Sequence, residues 1–360
     1  KPRIRVHGPS NEDPATIRTR QADAVAYRMV GGELPEASRE FANLSIRDLA
    51  ADALTRAGQS VRGLSTDDLF TRAATTSDFP LLVSNAAGKV ALDAYRAAES
   101  PLKRIARQRT LPNFKTSTSI RLGEMGRLEE MTESGEFTHT SRAEQGETLQ
   151  LATFGRAFTV SRKLLIDDDL GILGDITAAM GQAAAQTEAD QLVATFTGNP
   201  ALSDGTAVFH ATRGNYATTG SDLDEASLDT ARKAMRTVKG LDGATIIDAA
   251  PRFLIVGPEL ETTAEKLLAA IYPATSDNVN AFAQRLELIV EPRISGVGWY
   301  LTADPARVPT IQFAYLQAAQ GVQIQRAEAW DTLGMKFRAF LDFGTGWTDW
   351  RGAYFATGAA

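Results

Sequence analysis

Met335, Phe337, Ala339, Leu341 and Phe343 fall on one parity of a run near the C-terminus, and Lys336, Arg338, Phe340 and Asp342 fall on the other. Side chains of a strand point alternately to opposite faces, so a period of two commits this stretch to a half-buried strand. Gly344 and Gly346 read as its break, and Trp347 to Phe355 as a second strand returning.

Helical segments precede it. Residues 174–196 predict the clearest helix: Asp175 can cap it, and Ile176, Met180, Ala184, Leu192 and Val193 mark its apolar side. Gly198, Asn199 and Pro200 stop it, and Ala178, Ala179, Ala183, Ala184 and Ala185 permit close packing on both sides. About 23 residues at about 1.5 Å each make a rod of roughly 34 Å. Helical periodicity also runs through residues 41–76 (Phe41, Leu44, Leu49, Ala53, Leu54, then Leu64, Leu69 and Phe70), with Thr66, Asp67 and Asp68 as a start signal. A further helix over 86–99 follows a turn at Asp78 to Pro80. From about 205 to 320 the texture is mixed α/β. Phe253 to Val256 suits a buried strand, Pro258 opens a helix traced by Leu260, Ala264, Leu267, Leu268 and Ile271, and residues 286–290 and 299–302 read as strands around a loop at 274–282. Residues 1–40 mix Pro, Gly, Arg and acids and read as an extended arm with too little apolar surface to fold alone.

Residues 113–123 and 147–161 read as the two strands of one ribbon with a polar, acidic tip between them. Leu149 and Leu151 share one parity and Phe154, Phe158 and Val160 the other, so a bulge beside Gly155 is expected to restore the register. An isolated ribbon is marginally stable in water and needs a partner surface. Its charge is polarised. Residues 101–121 hold Lys103, Arg104, Arg107, Arg109, Lys115 and Arg121 without one acid, whereas the tip carries Glu124, Glu129, Glu130, Glu133, Glu136, Glu144 and Glu147 against Arg127 and Arg142. A charge run is ordinarily a solvated face. Opposite signs at root and tip suggest instead that a neighbouring copy accepts the tip on its root, a head-to-tail contact that closes into rings. The contact candidates are Glu129, Glu130, Glu133 and Glu136 on one side and Lys103, Arg104, Arg107 and Arg109 on the other. A nucleic-acid groove would interleave rings with the cations, and Phe114 is the only ring here.

The remaining signals exclude more than they propose. At 360 residues one or two compact units are expected. Cysteine is absent, so there is no disulfide and no thiolate metal site. A net charge of −6 argues against a surface that grips nucleic acid as a whole, and no stretch approaches the ~18 apolar residues of a membrane helix. There is no Gly-x-Ser-x-Gly elbow, and His7, His139 and His210 have unrelated settings in the arm, the tip and a turn. Phosphate-binding loops fail, since Gly296 and Gly298 lack a third glycine. Asp342, Phe343 and Gly344 copy a kinase triplet without its companions, and Asp167, Asp168 and Asp169 with Asp175 read as helix-start carboxylates rather than a cation site. A hydrolase with an unrecognised site is the enzymatic rival. Lys1 stands where an initiator Met would, through a shortened sequence or proteolytic removal of a leader.

Three strings carry a family likeness: Phe158 to Asp168 (Phe-Thr-Val-Ser-Arg-Lys-Leu-Leu-Ile-Asp-Asp), Phe253 to Glu261 (Phe-Leu-Ile-Val-Gly-Pro-Glu-Leu-Glu), and Asp342-Phe343-Gly344 followed by Asp349-Trp350-Arg351-Gly352. In this order, over roughly residues 80–358, the chain resembles tailed-bacteriophage major capsid proteins of the Hong Kong 97-type fold, in the subgroup encoded with or fused to a prohead protease. The resemblance implies an α+β fold: an N-terminal arm and helices (1–80), a lead-in helix and basic segment (81–112), an extended hairpin or E-loop (113–160), a peripheral domain with a long spine helix (161–204 and 321–360), and an axial domain (205–320). It implies a non-enzymatic structural protein of the virion capsid, without cofactor, metal or membrane, assembled in the host cytoplasm. Hexamers and pentamers would tile an icosahedral shell around packaged double-stranded DNA, held non-specifically, with a prohead protease, a portal and a decoration or cement protein as partners. An encapsulin-type nanocompartment shares the fold and encloses protein cargo; the long region before the hairpin favours the phage shell. Some members link an E-loop lysine covalently to a neighbour's asparagine. Residues 116–162 contain no lysine, so non-covalent clamping or a cement protein is expected to take over.

Overall fold

The structure, a computed structural model, describes residues 13–76, 78–122, 144–161, 170–217, 219, 221–269, 286–328 and 334–358. The chain divides into two compact units, one of Lys1–Ala98, Phe154–Ala185 and Gly321–Leu341, the other of Glu99–Thr153, Gln186–Gln320 and Asp342–Ala360.

Helices α1 (Pro14–Val30), α2 (Ile46–Arg56), α3 (Thr66–Thr75) and α4 (Asp78–Ala97) open the first unit. Local chemistry sets their starts. Asp13 accepts from the Ala15 N–H ahead of Pro14, Ser45 and Asp48 form a reciprocal capping box, and Ser65 accepts from the Asp68 N–H, so the α3 cap lies one residue before Thr66. Pro80 sits in the first turn of α4, where its missing N–H costs no helical bond, so Asp78 to Pro80 opens a helix instead of forming a turn.

The expectation of an extended arm over residues 1–40 is corrected from Asp13 onward. Ala22, Val25 and Met29 share one face of α1 and are buried with Leu49, Leu54, Phe79 and Leu82. The polar residues that suggested disorder are matched: Arg18 bonds Asp78 at 2.6 Å, Lys89 pairs with Asp23, and buried Gln21 donates to Asp52 at 2.7 Å while accepting from Arg56 at 2.9 Å. Residues 1–12 lie outside the described residues.

The long helix α5 (Leu170–Thr197) has 28 residues, about 42 Å at 1.5 Å per residue. It starts earlier than the sequence suggests, which leaves Asp175 inside it and not at its cap. It ends where expected, with the Gly198 N–H on the Ala194 carbonyl and Asn199 in the left-handed region at φ 46. Two glycines seven positions apart share one face. A Cβ on Gly174 would sit 2.8 Å from the Met29 carbonyl oxygen, and one on Gly181 would overlap the carbonyl oxygen of Ala91.

Three strands complete this unit: β4 (Ala152–Ser161), β10 (Gln323–Glu328) and β11 (Gly334–Trp347). Strand β10 runs antiparallel to β11 with Ile324 opposite Ala339, and β4 also pairs with β11. Phe337, Ala339, Leu341 and Phe343 are buried and Arg338 is exposed, as the alternation requires. Phe337 stacks on Phe158 with ring centroids 5.1 Å apart. The expected break at Gly344 and Gly346 is corrected, because β11 continues through both to Trp347. A Cβ at Gly344 would overlap the Gln150 carbonyl oxygen, so glycine here admits a neighbouring backbone. The return strand is shorter than expected, β12 (Ala353–Ala356).

In the second unit β1 (Ala106–Leu111) runs parallel to β9 (Ile311–Leu316), which is antiparallel to the end of β11 with Tyr315 opposite Phe343. A second sheet has the order β5 (Tyr216–Ala217), β12, β8 (Trp299–Ala303), β6 (Pro251–Val256), β7 (Glu287–Val290). Helices α6 (Glu225–Arg236) and α7 (Glu261–Leu268) pack Leu228, Met235 and Ala264 with Leu254, Val256, Trp299 and Leu301. Ile271 and the 274–282 loop lie outside the described residues.

Gly181→Ala is expected to lower the stability of dissociated subunits by roughly 1–3 kcal/mol through overpacking, against the ~1 kcal/mol that alanine normally gains over glycine in a helix. Gly88→Ala in α4, with nothing within 4 Å of the added carbon, is the control and should stabilise. Urea midpoints of the two variants decide the matter, and equal shifts would contradict the close approach.

Candidate intersubunit contact surface

Strands β2 (Ser117–Leu122) and β3 (Glu144–Leu149) form the ribbon, antiparallel from Ser117 opposite Leu149 to Leu122 opposite Glu144. The reading of one strand over 147–161 is corrected. Gln150 and Leu151 separate β3 from β4, which joins a different sheet, so the parity switch is a change of strand and not a bulge. Gly155 has another use: a Cβ there would meet the Ala339 carbonyl oxygen at 3.1 Å and Phe340 Cβ at 3.2 Å, so it lets β4 lie close to β11.

The ribbon root has two faces. Leu149 is buried in a cluster with Leu111, Leu151 and Ala314, and Glu147 on the same face is buried as well. Glu147 accepts from the Ser203 N–H at 3.1 Å and the Ser203 hydroxyl at 2.7 Å, so this acid anchors the root. Thr118, Ile120 and Thr148 face outward, Ile120 with 62% of its surface exposed. Glu124, Glu129, Glu130, Glu133 and Glu136 lie outside the described residues.

The basic candidates separate by setting. Lys103, on the 3-10 helix Pro101–Ile105, points inward: its Nζ lies 2.5 Å from Glu188 and 2.8 Å from Glu99, and donates to the Tyr315 hydroxyl at 3.0 Å. Burial alone would lower the Lys103 pKa, but the attraction of Glu188 outweighs it and holds the ammonium above the ordinary lysine value. Arg104 pairs with Glu287 over the Phe253 ring. Arg107 is exposed, and Arg109 on the same face of β1 is half-buried and donates to Gln312 at 3.3 Å. Strand β1 ends its sheet's order, so this pair stands on an edge.

The same segment is tied down at its start. Ser100 donates to fully buried Glu291 at 3.1 Å, Glu291 pairs with Arg293 at 3.0 Å, and Arg293 reaches Asp190 of α5 at 2.6 Å. These partners escaped the sequence reading. The available signal was Glu188, an acid in phase with Ala185, Leu192 and Phe196 on the buried side of an otherwise apolar helix face.

The described residues hold no group of His, Cys, Asp or Glu able to bind a metal ion, and no helix among them is long and apolar enough to cross a membrane. Asp342 accepts from Thr153 at 2.6 Å inside the sheet, and His210 meets the Thr212 hydroxyl at 2.8 Å in a short turn.

Residues 145–356 match the model of a family described as phage capsid protein. The chain belongs to that family. No curated protein sequence matches it. Among solved structures, it is similar to a chain of Microbacterium phage Oxtober96 (13% identity, 72% of this chain and 91% of that one, TM-score 0.49). It is also similar to a procapsid chain of bacteriophage JBD30 (16% identity, 79% and 77%, TM-score 0.45) and to a virus-like particle from Pyrococcus furiosus (13% identity, 75% and 97%, TM-score 0.46). The protein is a structural subunit of a phage capsid, built as an α+β fold, and its place is the virion shell.

Lys103→Met leaves Glu188 buried without its cation and should cost about 3–5 kcal/mol of subunit stability, whereas Lys103→Met with Glu188→Leu should recover part of it. Because the lysine pKa is raised, the contribution is whole below the ordinary value near ~10.4 and fades only as pH climbs past the native value. Chemical denaturation of both variants checks this, and a double variant no more stable than the single one would remove the pair from the account.

Proposed function

We propose that this chain tiles an icosahedral shell as hexamers and pentamers around packaged double-stranded DNA, assembling in the host cytoplasm. The observation that carries this reading is the family match, which begins on the second strand of the ribbon and ends on the last strand of the second sheet. A prohead protease, a portal and a decoration or cement protein are its proposed partners. Neighbouring copies meet through the ribbon, with Glu129, Glu130, Glu133 and Glu136 of one copy on Arg104, Arg107 and Arg109 of the next. Lys103, held by Glu188, supports that surface from beneath.

Electron microscopy of purified protein tests the shell, and nuclease-protected double-stranded DNA inside the particles tests the contents. A small oligomer with no particles would overturn the reading, and protein cargo in place of DNA would favour a nanocompartment. Replacing Glu129, Glu130 and Glu133 with Lys should impair assembly or make it strongly salt-dependent; normal particles with unchanged salt tolerance would remove the tip from the contact. Because residues 116–162 contain no lysine, boiled particles should run on a gel as one band near 38.7 kDa and not as a ladder of linked oligomers.

A further inference from the structure

Asp349, Trp350, Arg351 and Gly352, which end the third of the family-like strings, sit where the chain crosses from one sheet to the other. Residues 348–352 lead from β11 to β12, and residues 304–310 lead from β8 to β9, so two connections run side by side. Backbone bonds tie them together. The Thr348 and Asp349 N–H groups both donate to the Thr310 carbonyl, at 2.7 and 3.2 Å, and the Ala303 N–H donates to the Gly352 carbonyl at 2.8 Å. The bond from Thr348 to Thr310 continues the antiparallel register in which Trp347 is opposite Ile311. The two threonines are therefore opposite one another, with their side chains on one face.

Both hydroxyl oxygens, Thr310 Oγ1 and Thr348 Oγ1, are buried and have no hydrogen-bond partner among the described residues. A hydroxyl shut away from solvent carries the whole cost of its lost hydration unless something bonds it. The Thr310 side chain is also fixed in direction. A Cβ on Gly352 would lie 2.5 Å from the Thr310 methyl carbon and 2.9 Å from a Val308 methyl carbon, so the Thr310 methyl packs on Gly352 and its hydroxyl is directed elsewhere. The charges of the turn are matched close by: Asp349 accepts from the Arg351 N–H and from Arg351 Nη1, both at 3.1 Å, and Arg351 Nε donates to the Lys239 carbonyl at 3.0 Å. A bridge between two hydroxyls suits a neutral molecule that donates and accepts, which is what water does.

We propose that this joint encloses an ordered water molecule that bridges the Thr310 and Thr348 hydroxyls. Opposite residues of an antiparallel pair have Cβ atoms about 4.5–5.5 Å apart, a span that one water closes. The water completes the hydrogen bonding of the two connections and so helps to hold the end of β11 against the start of β9 where the chain leaves for β12. The site is internal to one subunit, so it stands apart from the shell reading.

Two measurements test it. Density for the protein, in particles or in crystals of the subunit, at a resolution that shows ordered water should contain a peak within hydrogen-bond distance of both hydroxyls. No peak there, or hydroxyls bonded to protein atoms in its place, would overturn the proposal. Thr310→Val and Thr348→Val keep the side-chain shape and remove one end of the bridge. Each should lower the folding equilibrium constant of dissociated subunits, measured in urea, about two- to ten-fold. The double variant should lose less than the two single losses combined, because either valine alone already breaks the bridge. Additive losses, or a higher urea midpoint in either single variant, would overturn it as well.

Discussion

Glu188 is a carboxylate with 1% of its surface exposed, in the middle of a helix face that otherwise buries alanine, leucine and phenylalanine. A charge in that position is tolerable only with a partner, and Lys103 at 2.5 Å with the Tyr315 hydroxyl at 3.2 Å supplies two. The pair fixes where the chain must run. It binds the segment entering β1 to α5 and to β9, and the Ser100, Glu291, Arg293 and Asp190 chain of contacts repeats the tie one turn away. The strand that follows therefore leaves from a defined point, and the ribbon continues from it. Apolar side chains of similar volume could stabilise the site as well, but they would not define the helix position opposite the segment as closely.

Glycine does the complementary work of letting backbones approach. Gly181 brings α5 onto Ala91 and Gly174 onto Met29, while Gly344 and Gly155 let strands or their connections lie against β11 at distances a Cβ would forbid. In each case the constraint is three-dimensional: the atom that excludes a side chain belongs to a residue far away in sequence. Interiors packed to crystal density transmit such constraints, so these positions set the spacing of the elements around them.

That distinction explains what the sequence made legible. The alternation from Met335 to Phe343, the Gly198 stop of α5, and the strands around Phe253, Leu288 and Trp299 depend on local periodicity and turn chemistry, and the structure has them in those places. Gly344 and Gly155 read locally as a break and a bulge, because a glycine in a strand pattern carries the same signal whether it ends the strand or admits a neighbour. The arm reads as extended because Arg18, Gln21 and Asp23 look solvated until Asp78, Asp52 and Lys89 are placed opposite them. Lys103 looked like one more cation in a basic run for the same reason. Its partner lies on α5, and only the fold brings it within 2.5 Å.

The ribbon has a secured end and an outward face, and the chemistry of that face limits what can pack on it. Two strands alone would be marginal, but Leu149 in its apolar cluster and Glu147 on Ser203 secure the root without help from another copy. What remains outward is Thr118, Thr148 and Ile120, a surface suited to packing on another chain. A strand edge such as that of β1, which has no second partner among the described strands, invites indiscriminate pairing, and Arg107 and Arg109 there oppose it, because two like edges would bring four guanidinium groups together. The same charges favour an acidic segment. A subunit that must contact identical copies in one orientation has to exclude the self-paired arrangement as well as attract the correct one. In the contact proposed above, cations at the root and acids at the tip would do both with one charge pattern: the exposed arginines of two roots repel, and root and tip attract.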